Sequence, residues 1–221
     1  MSVRLTSYSY NPINEVCEQP LNDDMSRKAL LRRELLAARR LLTSEDVRDA
    51  AAVLSAVASD LPELASARTV AAYVSVGREP GTHVLLDALR ARGVRVLLPV
   101  LLPDNDLDWA AYEGPEHLAP AGRGLLEPVG VRLGPEAVVA ADVVLLPGLA
   151  VDRRGMRLGR GGGSYDRVLA RLAAAGAHPA LVVLLYDDEV VAQVPEEPHD
   201  HPVDAAVTPA GARHFAPRGP A

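Results

Sequence analysis

The chain has 221 residues, 48% hydrophobic and 24% charged, with a formal net charge of −6. This is length for one large domain or two small ones, and a composition that excludes a disordered chain. One cysteine, Cys17, excludes an internal disulfide framework and a thiolate metal cage, while the acidic balance and 4% aromatic content lack the basic footprint and stacking platforms of a nucleic-acid binder.

The longest apolar runs, near 143–151 and 180–186, fall short of the roughly 18 to 20 residues that cross a bilayer. No apolar core of a signal peptide follows a basic start in the first 25 residues. The expected setting is therefore the cytoplasm, as a reduced monomer with small-molecule substrates and neither nucleic-acid nor membrane partners.

Residues 1–24 lack helical or alternating period and read as a flexible leader, ahead of a single domain over 25–209 and a frayed, proline-rich tail over 210–221. Ser26 is a candidate N-cap for a helix carrying leucines at helical spacing through Leu36, and Thr43-Ser44-Glu45 punctuates before a second helix through Ala58. Beyond Pro62 the pattern predicts a strand over 69–75, a helix over 82–92 and a strand over 94–100, a unit whose short crossover favours parallel pairing. The stretch 103–135, including 107–112, reads as an irregular or hairpin excursion. Strands over 142–147 and 180–186 then flank a helix over 164–174, giving a layered α/β sheet.

The segment from Leu145 to Asp152, continued by Arg157-Leu158-Gly159-Arg160-Gly161-Gly162-Gly163-Ser164-Tyr165-Asp166, reads as strand, glycine loop and helix. Glycines turn their amides toward one point without side-chain obstruction, and a helix N-terminus adds partial positive charge, which suits phosphate. Arg157 and Arg160 add forked donors. Neither the dinucleotide fingerprint nor a Walker A lysine is present, so this is another kind of phosphate loop or a plain glycine turn with incidental arginines.

Arginine supplies all but one of the 23 basic side chains, and the sole lysine, Lys28, stands four residues from Arg32 on one helical face. An anion between them would offset their repulsion; a solvated face is the alternative. Asp166 is a candidate Mg²⁺ ligand or an ordinary helix-entry acid. Asp200 and Asp204 lie in an acidic loop whose His199 and His201 read as polar surface. Glu79 follows the first strand and could accept hydrogen bonds from a heterocycle, or serve only as a helix-entry acid. No serine or cysteine sits in a nucleophile frame.

Together these residues resemble the 5-formyltetrahydrofolate cyclo-ligase (5,10-methenyltetrahydrofolate synthetase) family over about 26–209. The likeness rests on Lys28-Ala29-Leu30-Leu31-Arg32, on Ser75, Glu79 and Thr82, on Glu127-Pro128, on Pro147-Gly148 with Asp152, on Arg157 to Asp166, and on Pro195, Asp200 and Asp204. It implies an α/β fold with a layered, mostly parallel sheet flanked by helices, of the NagB/RpiA/CoA-transferase type. It implies a C–N-forming ligase that closes 5-formyltetrahydrofolate to 5,10-methenyltetrahydrofolate with ATP and Mg²⁺, through an imidate phosphate, releasing ADP and phosphate.

Carried onto this chain, the resemblance gives ATP contacts to Lys28, Arg32, Arg157, Leu158, Gly159, Arg160, Gly161, Gly162, Gly163, Ser164 and Tyr165, with Lys28 and Arg157 catalytic. Mg²⁺ falls to Asp166 and Asp200, and the folate to Val74, Glu79 and Arg160 to Ser164. Many members have tyrosine where Arg160 and Ser164 stand, so the aromatic wall for the folate is either missing here or supplied elsewhere, with Trp109 and Tyr165 as the candidates. The alternatives are a non-catalytic folate or nucleotide binder, or a sugar-phosphate isomerase or acyl-CoA transferase on the same sheet.

Overall fold

In the computed structural model of the chain, the described residues are 21–197 and 200–216, with side chains described from 27 onward. Helix α1 spans Leu21–Leu41, so it starts ahead of Ser26, which lies inside it and not at a cap. The last four residues of the expected leader, 21–24, are thereby helical, and 1–20 lie outside the described residues. Helix α2, Ser44–Ser59, opens on the expected signal: the Thr43 hydroxyl accepts from the Asp46 amide while the Asp46 carboxylate accepts from the Thr43 amide. That reciprocal pair satisfies two amides that otherwise lack partners.

A short α3 (Pro62–Ser66) leads to β1 (Thr69–Ala71), α4 (His83–Ala91) and β2 (Arg95–Leu101). The excursion contains β3 (Leu107–Ala111) and a small hairpin, β4 (Leu118–Pro120) with β5 (Leu126–Pro128). Strand β6 (Val143–Leu146) follows, then the hairpin β7 (Ala150–Val151) with β8 (Arg157–Leu158), helix α5 (Ser164–Ala174), and β9 (Ala180–Leu184), β10 (Ala205–Thr208) and β11 (Gly211–His214).

The main sheet runs β11-β10-β9-β6-β1-β2-β3; its five inner strands are parallel, and β3 and β11 close the two edges antiparallel. The expected α/β sheet is thus present, with helices on both faces. Strand β3 forms a hairpin with β2 and covers its outer edge. The tail expectation fails over 211–214, which pair residue by residue with β10. Proline-rich composition concealed a strand whose ladder bonds satisfy the outer edge of β10. Residues 217–221 lie outside the described residues.

Period-two geometry divides the core. Val143 and Leu145 face the layer built from α2, α3 and α4, whereas Val144 and Leu146 face the layer containing α5. All four are fully buried, as parallel strands covered on both faces require. A third cluster packs Leu35 of α1 on Leu149, Ala150, Met156 and Leu158, laying the first helix against the β7–β8 hairpin.

From β1 the chain winds one way to β2; from β6 it winds the other way through β9 to β10. The reversal falls between β1 and β6. In an open α/β sheet the loops leaving such a pair diverge and open a crevice.

Candidate active site

That crevice holds a cavity of about 360 Å³, lined by the loops after β1 and β6, the glycine loop, α1, Glu197 and Asp200. On the glycine loop, Gly161 (φ 89°) and Gly163 (φ 77°) are left-handed. A Cβ on Gly161 would also stand only 3.3 Å from the Arg32 guanidinium carbon. Only glycine meets both demands without strain. Gly163 then turns the chain into α5, whose first amides have no partners within the helix and supply donors at the cavity wall.

Arg157 lies beneath this loop, its side chain 7% exposed. One terminal nitrogen donates to the Pro147 carbonyl at 3.0 Å, the other approaches Asp166 Oδ1 at 3.3 Å, and Nε is buried with no hydrogen-bond partner among the described residues. Burial lowers the proton affinity of this guanidinium, with the charges of Asp166 and Asp200 opposing the shift. The hydroxyl of Tyr165 is likewise buried without a partner, and burial pushes its phenol well up. Each orphaned polar group costs on the order of 1–3 kcal/mol until something meets it.

From α1, Lys28 Nζ donates to Asp200 Oδ2 at 2.6 Å and to Glu197 Oε2 at 2.9 Å. Burial by itself would lower the lysine pKa, but the bonds and charges of Asp200 and Glu197 outweigh it and the net direction is up. Asp200 Oδ2 also accepts from the Glu197 amide, at 2.8 Å. One turn along, Arg32 Nε donates to the Gly159 carbonyl at 2.9 Å. Within the protein the two cations take different partners, Lys28 two carboxylates and Arg32 a backbone carbonyl.

Across the cavity, Ser75 and Thr82 close the loop after β1 through reciprocal bonds between amide and hydroxyl. Within that loop Glu79 accepts from the Val76 amide on one oxygen and from Arg160 on the other, at 3.0 Å. The Arg160–Glu79 pair bridges the glycine loop to the β1 loop.

Apart from Trp109, the residues singled out from the sequence for the triphosphate, the metal or the folate line this one cavity: the run Arg157 to Asp166 with Lys28, Arg32, Val74, Glu79 and Asp200. One expectation needs correction. Trp109 is fully buried in the core beside Leu97 and Leu146, so it offers no wall; Tyr73 and Tyr165 line the cavity instead. Asp204 accepts from the Leu181 amide and fastens β9, away from the cavity. His201 is exposed, and His199 lies outside the described residues.

Sequence reasoning missed the apolar side, Leu101, Leu107, Leu125 and Leu126, along with Arg123 and Glu197. The leucines gave no signal because they look like any core leucine. Glu197 stood in a recognised acidic loop, but only folding shows it on Lys28.

The lining includes five basic and five acidic side chains. An anion bound at Lys28 and Arg157 would compete with their carboxylate partners, leaving Asp200 and Asp166 to be neutralised by something else. Among the described residues no group of three or more histidine, cysteine, aspartate or glutamate side chains is placed to hold a metal ion. Two hard carboxylates beside a phosphate cradle do fit Mg²⁺, which takes one or two protein oxygens and completes its shell with phosphate and water.

Fold and site together define an α/β protein with a crevice at its strand reversal, where a glycine loop meets cations from a distant helix. The model of the "5-formyltetrahydrofolate cyclo-ligase family" matches residues 24–209. A 5-formyltetrahydrofolate cyclo-ligase of Mycolicibacterium smegmatis is 46% identical over 149 residues, covering 65% of this chain and 75% of that protein. The protein of the same name from Escherichia coli K12 is 33% identical over 176 residues, 77% of this chain and 94% of its own length. Among solved structures, the 5,10-methenyltetrahydrofolate synthetase of Aquifex aeolicus superposes with a TM-score of 0.73 at 29% identity, over 88% of this chain and 95% of the other. The chain belongs to the 5-formyltetrahydrofolate cyclo-ligase family and is an enzyme of the ligase class.

Proposed function

We propose that this chain closes 5-formyltetrahydrofolate to 5,10-methenyltetrahydrofolate with ATP, releasing ADP and phosphate. The observation that supports it is the gathering of Lys28, Arg32, Arg157, the glycine loop and two carboxylates on one cavity that also has an apolar side. In this reading the N5-formyl oxygen attacks the γ-phosphorus as its bond to ADP breaks, giving an imidate phosphate. N10 then attacks the imidate carbon and loses its proton, and the C–O bond breaks as phosphate departs with the oxygen.

Such a transfer needs placement and charge neutralisation more than a protein nucleophile, in keeping with the absence of a serine or cysteine frame. Gly159 to Tyr165 and the first turn of α5 would cradle phosphates, with Leu158 as the apolar floor. Lys28, Arg32 and Arg157 would take the charge that their carboxylate partners now balance. Asp166 and Asp200 would hold Mg²⁺, which when bound neutralises phosphate oxygens. On the other wall, Glu79 would accept from the amino and imino donors of the pterin beside Val74, once Arg160 turns from Glu79 toward the nucleotide.

Absorbance of the methenyl product, followed with and without ATP and Mg²⁺, tests this directly. ATP-dependent growth of signal with stoichiometric ADP is expected. Nucleotide binding without product would overturn the proposal in favour of a non-catalytic binder.

A further inference from the structure

Among the described residues, Arg123 is the one cation lining the cavity that makes no hydrogen bond or ion pair to the protein. Lys28 and Arg160 hold carboxylates, Arg32 holds a carbonyl, and Arg157 holds both kinds of partner. Arg123 sits at the tip of the β4–β5 hairpin, where Ala121 and Leu125 bond across the turn. Its φ of 62° and ψ of 20° are left-handed, an unfavourable state for arginine that a turn of ordinary sequence would give to glycine or asparagine. Gly122 and Gly124 flank it and leave open space on both sides. The fold therefore presents an exposed guanidinium on a strained tip, with no structural partner among the described residues to account for it.

What lies beside it narrows the ligand. Leu125 and Leu126 of the same hairpin join Leu101 and Leu107 in the apolar side of the cavity. Leu101 and Leu107 are cross-strand partners on β2 and β3, and Glu127 fastens the hairpin there by accepting from the Leu101 amide. The glycine loop belongs instead to the β6 side, two strands away in the order β6-β1-β2. At about 4.8 Å per strand, those two ends of the cavity are roughly 10 Å apart. A ligand reacting at the glycine loop and lying across β1 thus sets its middle on the leucines and its far end under Arg123.

We propose that Arg123 recognises the anionic glutamate tail of the folate substrate, with the four leucines covering the aminobenzoyl ring between tail and pterin. This rests on the cyclo-ligase reading and deepens it by assigning the part of the substrate that does not react. Arg123 is a substrate-binding residue that sets preference for glutamylated over tail-less folates. Being exposed, it acts through a salt-screened attraction and not through a buried pair.

The test is steady-state kinetics with two substrates, 5-formyltetrahydrofolate and the corresponding 5-formyltetrahydropteroate without glutamate. The variant is Arg123→Gly, which keeps the left-handed turn, with Arg123→Lys as the charge-retaining control. KM for the glutamylated substrate should rise about five- to tenfold in Arg123→Gly and recover in large part in Arg123→Lys. The KM for the tail-less substrate, the KM for ATP and kcat should not move, and 0.5 M salt should abolish the difference between wild type and Arg123→Gly. An unchanged KM for the glutamylated substrate, or an equal rise for both substrates, overturns the tail assignment while leaving the cyclo-ligase reading intact. A wild-type chain that turns over neither substrate overturns both.

Discussion

Lys28 and Arg157 show how differently two cations reach one site. The lysine is exposed by sequence logic, on a helix rich in charge, yet it is 5% exposed in the fold because Asp200 and Glu197 close over it. The arginine is held by a carbonyl and left with an Nε that has no partner among the described residues, ready for an acceptor. Donors fixed in advance at a developing phosphate charge are each worth on the order of 3 kcal/mol. Arg157→Ala and Lys28→Ala are each expected to lower kcat by about 100-fold or more, read from methenyl absorbance. Circular dichroism should show the fold retained, and wild-type kcat in either variant would remove that residue from the chemistry. Lys28 also has a pH signature. Its pKa is raised, so the contribution of its ion pairs is complete below the ordinary value of 10.5 and is lost only as pH rises through the higher folded value.

Two small elements hold these side chains in register. The β7–β8 hairpin is organised by Asp152, fully buried, whose carboxylate accepts from the amides of Arg154, Met156 and Val194. Burial alone would raise its pKa, but Arg154 and those amides prevail and the net direction is down. Its stabilisation is therefore present above the ordinary 3.8 and disappears as pH falls through the lower folded value. Thermal melts in acid should show a shallower loss of Tm below about pH 4 for Asp152→Asn than for wild type, from a lower starting Tm. A parallel acid profile would show that other carboxylates carry the transition.

The second element is the end of α1, where Arg39 meets Glu189 at 2.6 Å, donates to the Gly148 carbonyl and lies 5.7 Å from the Tyr186 ring centre. This buried knot joins the helix bearing Lys28 and Arg32 to the loop after β6. Removing one partner from such a pair costs about 3–5 kcal/mol, because a buried charge is left uncompensated. For a chain of this size Glu189→Gln should lower Tm by about 10 °C in calorimetry. A Tm within 2 °C of wild type would mean that water or another group compensates.

At the scale of the molecule, the crevice follows from strand order. Helix α1, the β1 loop, the glycine loop, Glu197 and Asp200 are distant along the chain and meet because winding reverses between β1 and β6. The opposite end of the sheet is finished by β11, which pairs with β10 over four residues. Deleting residues 211–221 would bare the β10 edge, whose strand is wholly buried in the intact fold. Truncation is therefore expected to reduce Tm and promote association in size-exclusion chromatography, far from the candidate site. A monodisperse truncated protein with unchanged Tm would show that the edge strand is dispensable.

Much of this was legible along the chain. The glycine run after an apolar strand, the lone lysine four residues from an arginine, and a carboxylate at a helix entry are local patterns whose chemistry depends on residue type and spacing, and all of them line the cavity. The parallel strands were readable because burial on both faces demands unbroken apolar runs. The rest depended on long-range contact. That Asp200 and Glu197 seat Lys28, that Trp109 turns inward while Tyr73 faces the crevice, and that a proline-rich tail becomes a strand are settled by tertiary neighbours, for Lys28 more than a hundred residues away, or by an edge needing cover. Spacing along a chain fixes which groups share a turn or a face. Which of them share a cavity depends on how the sheet winds.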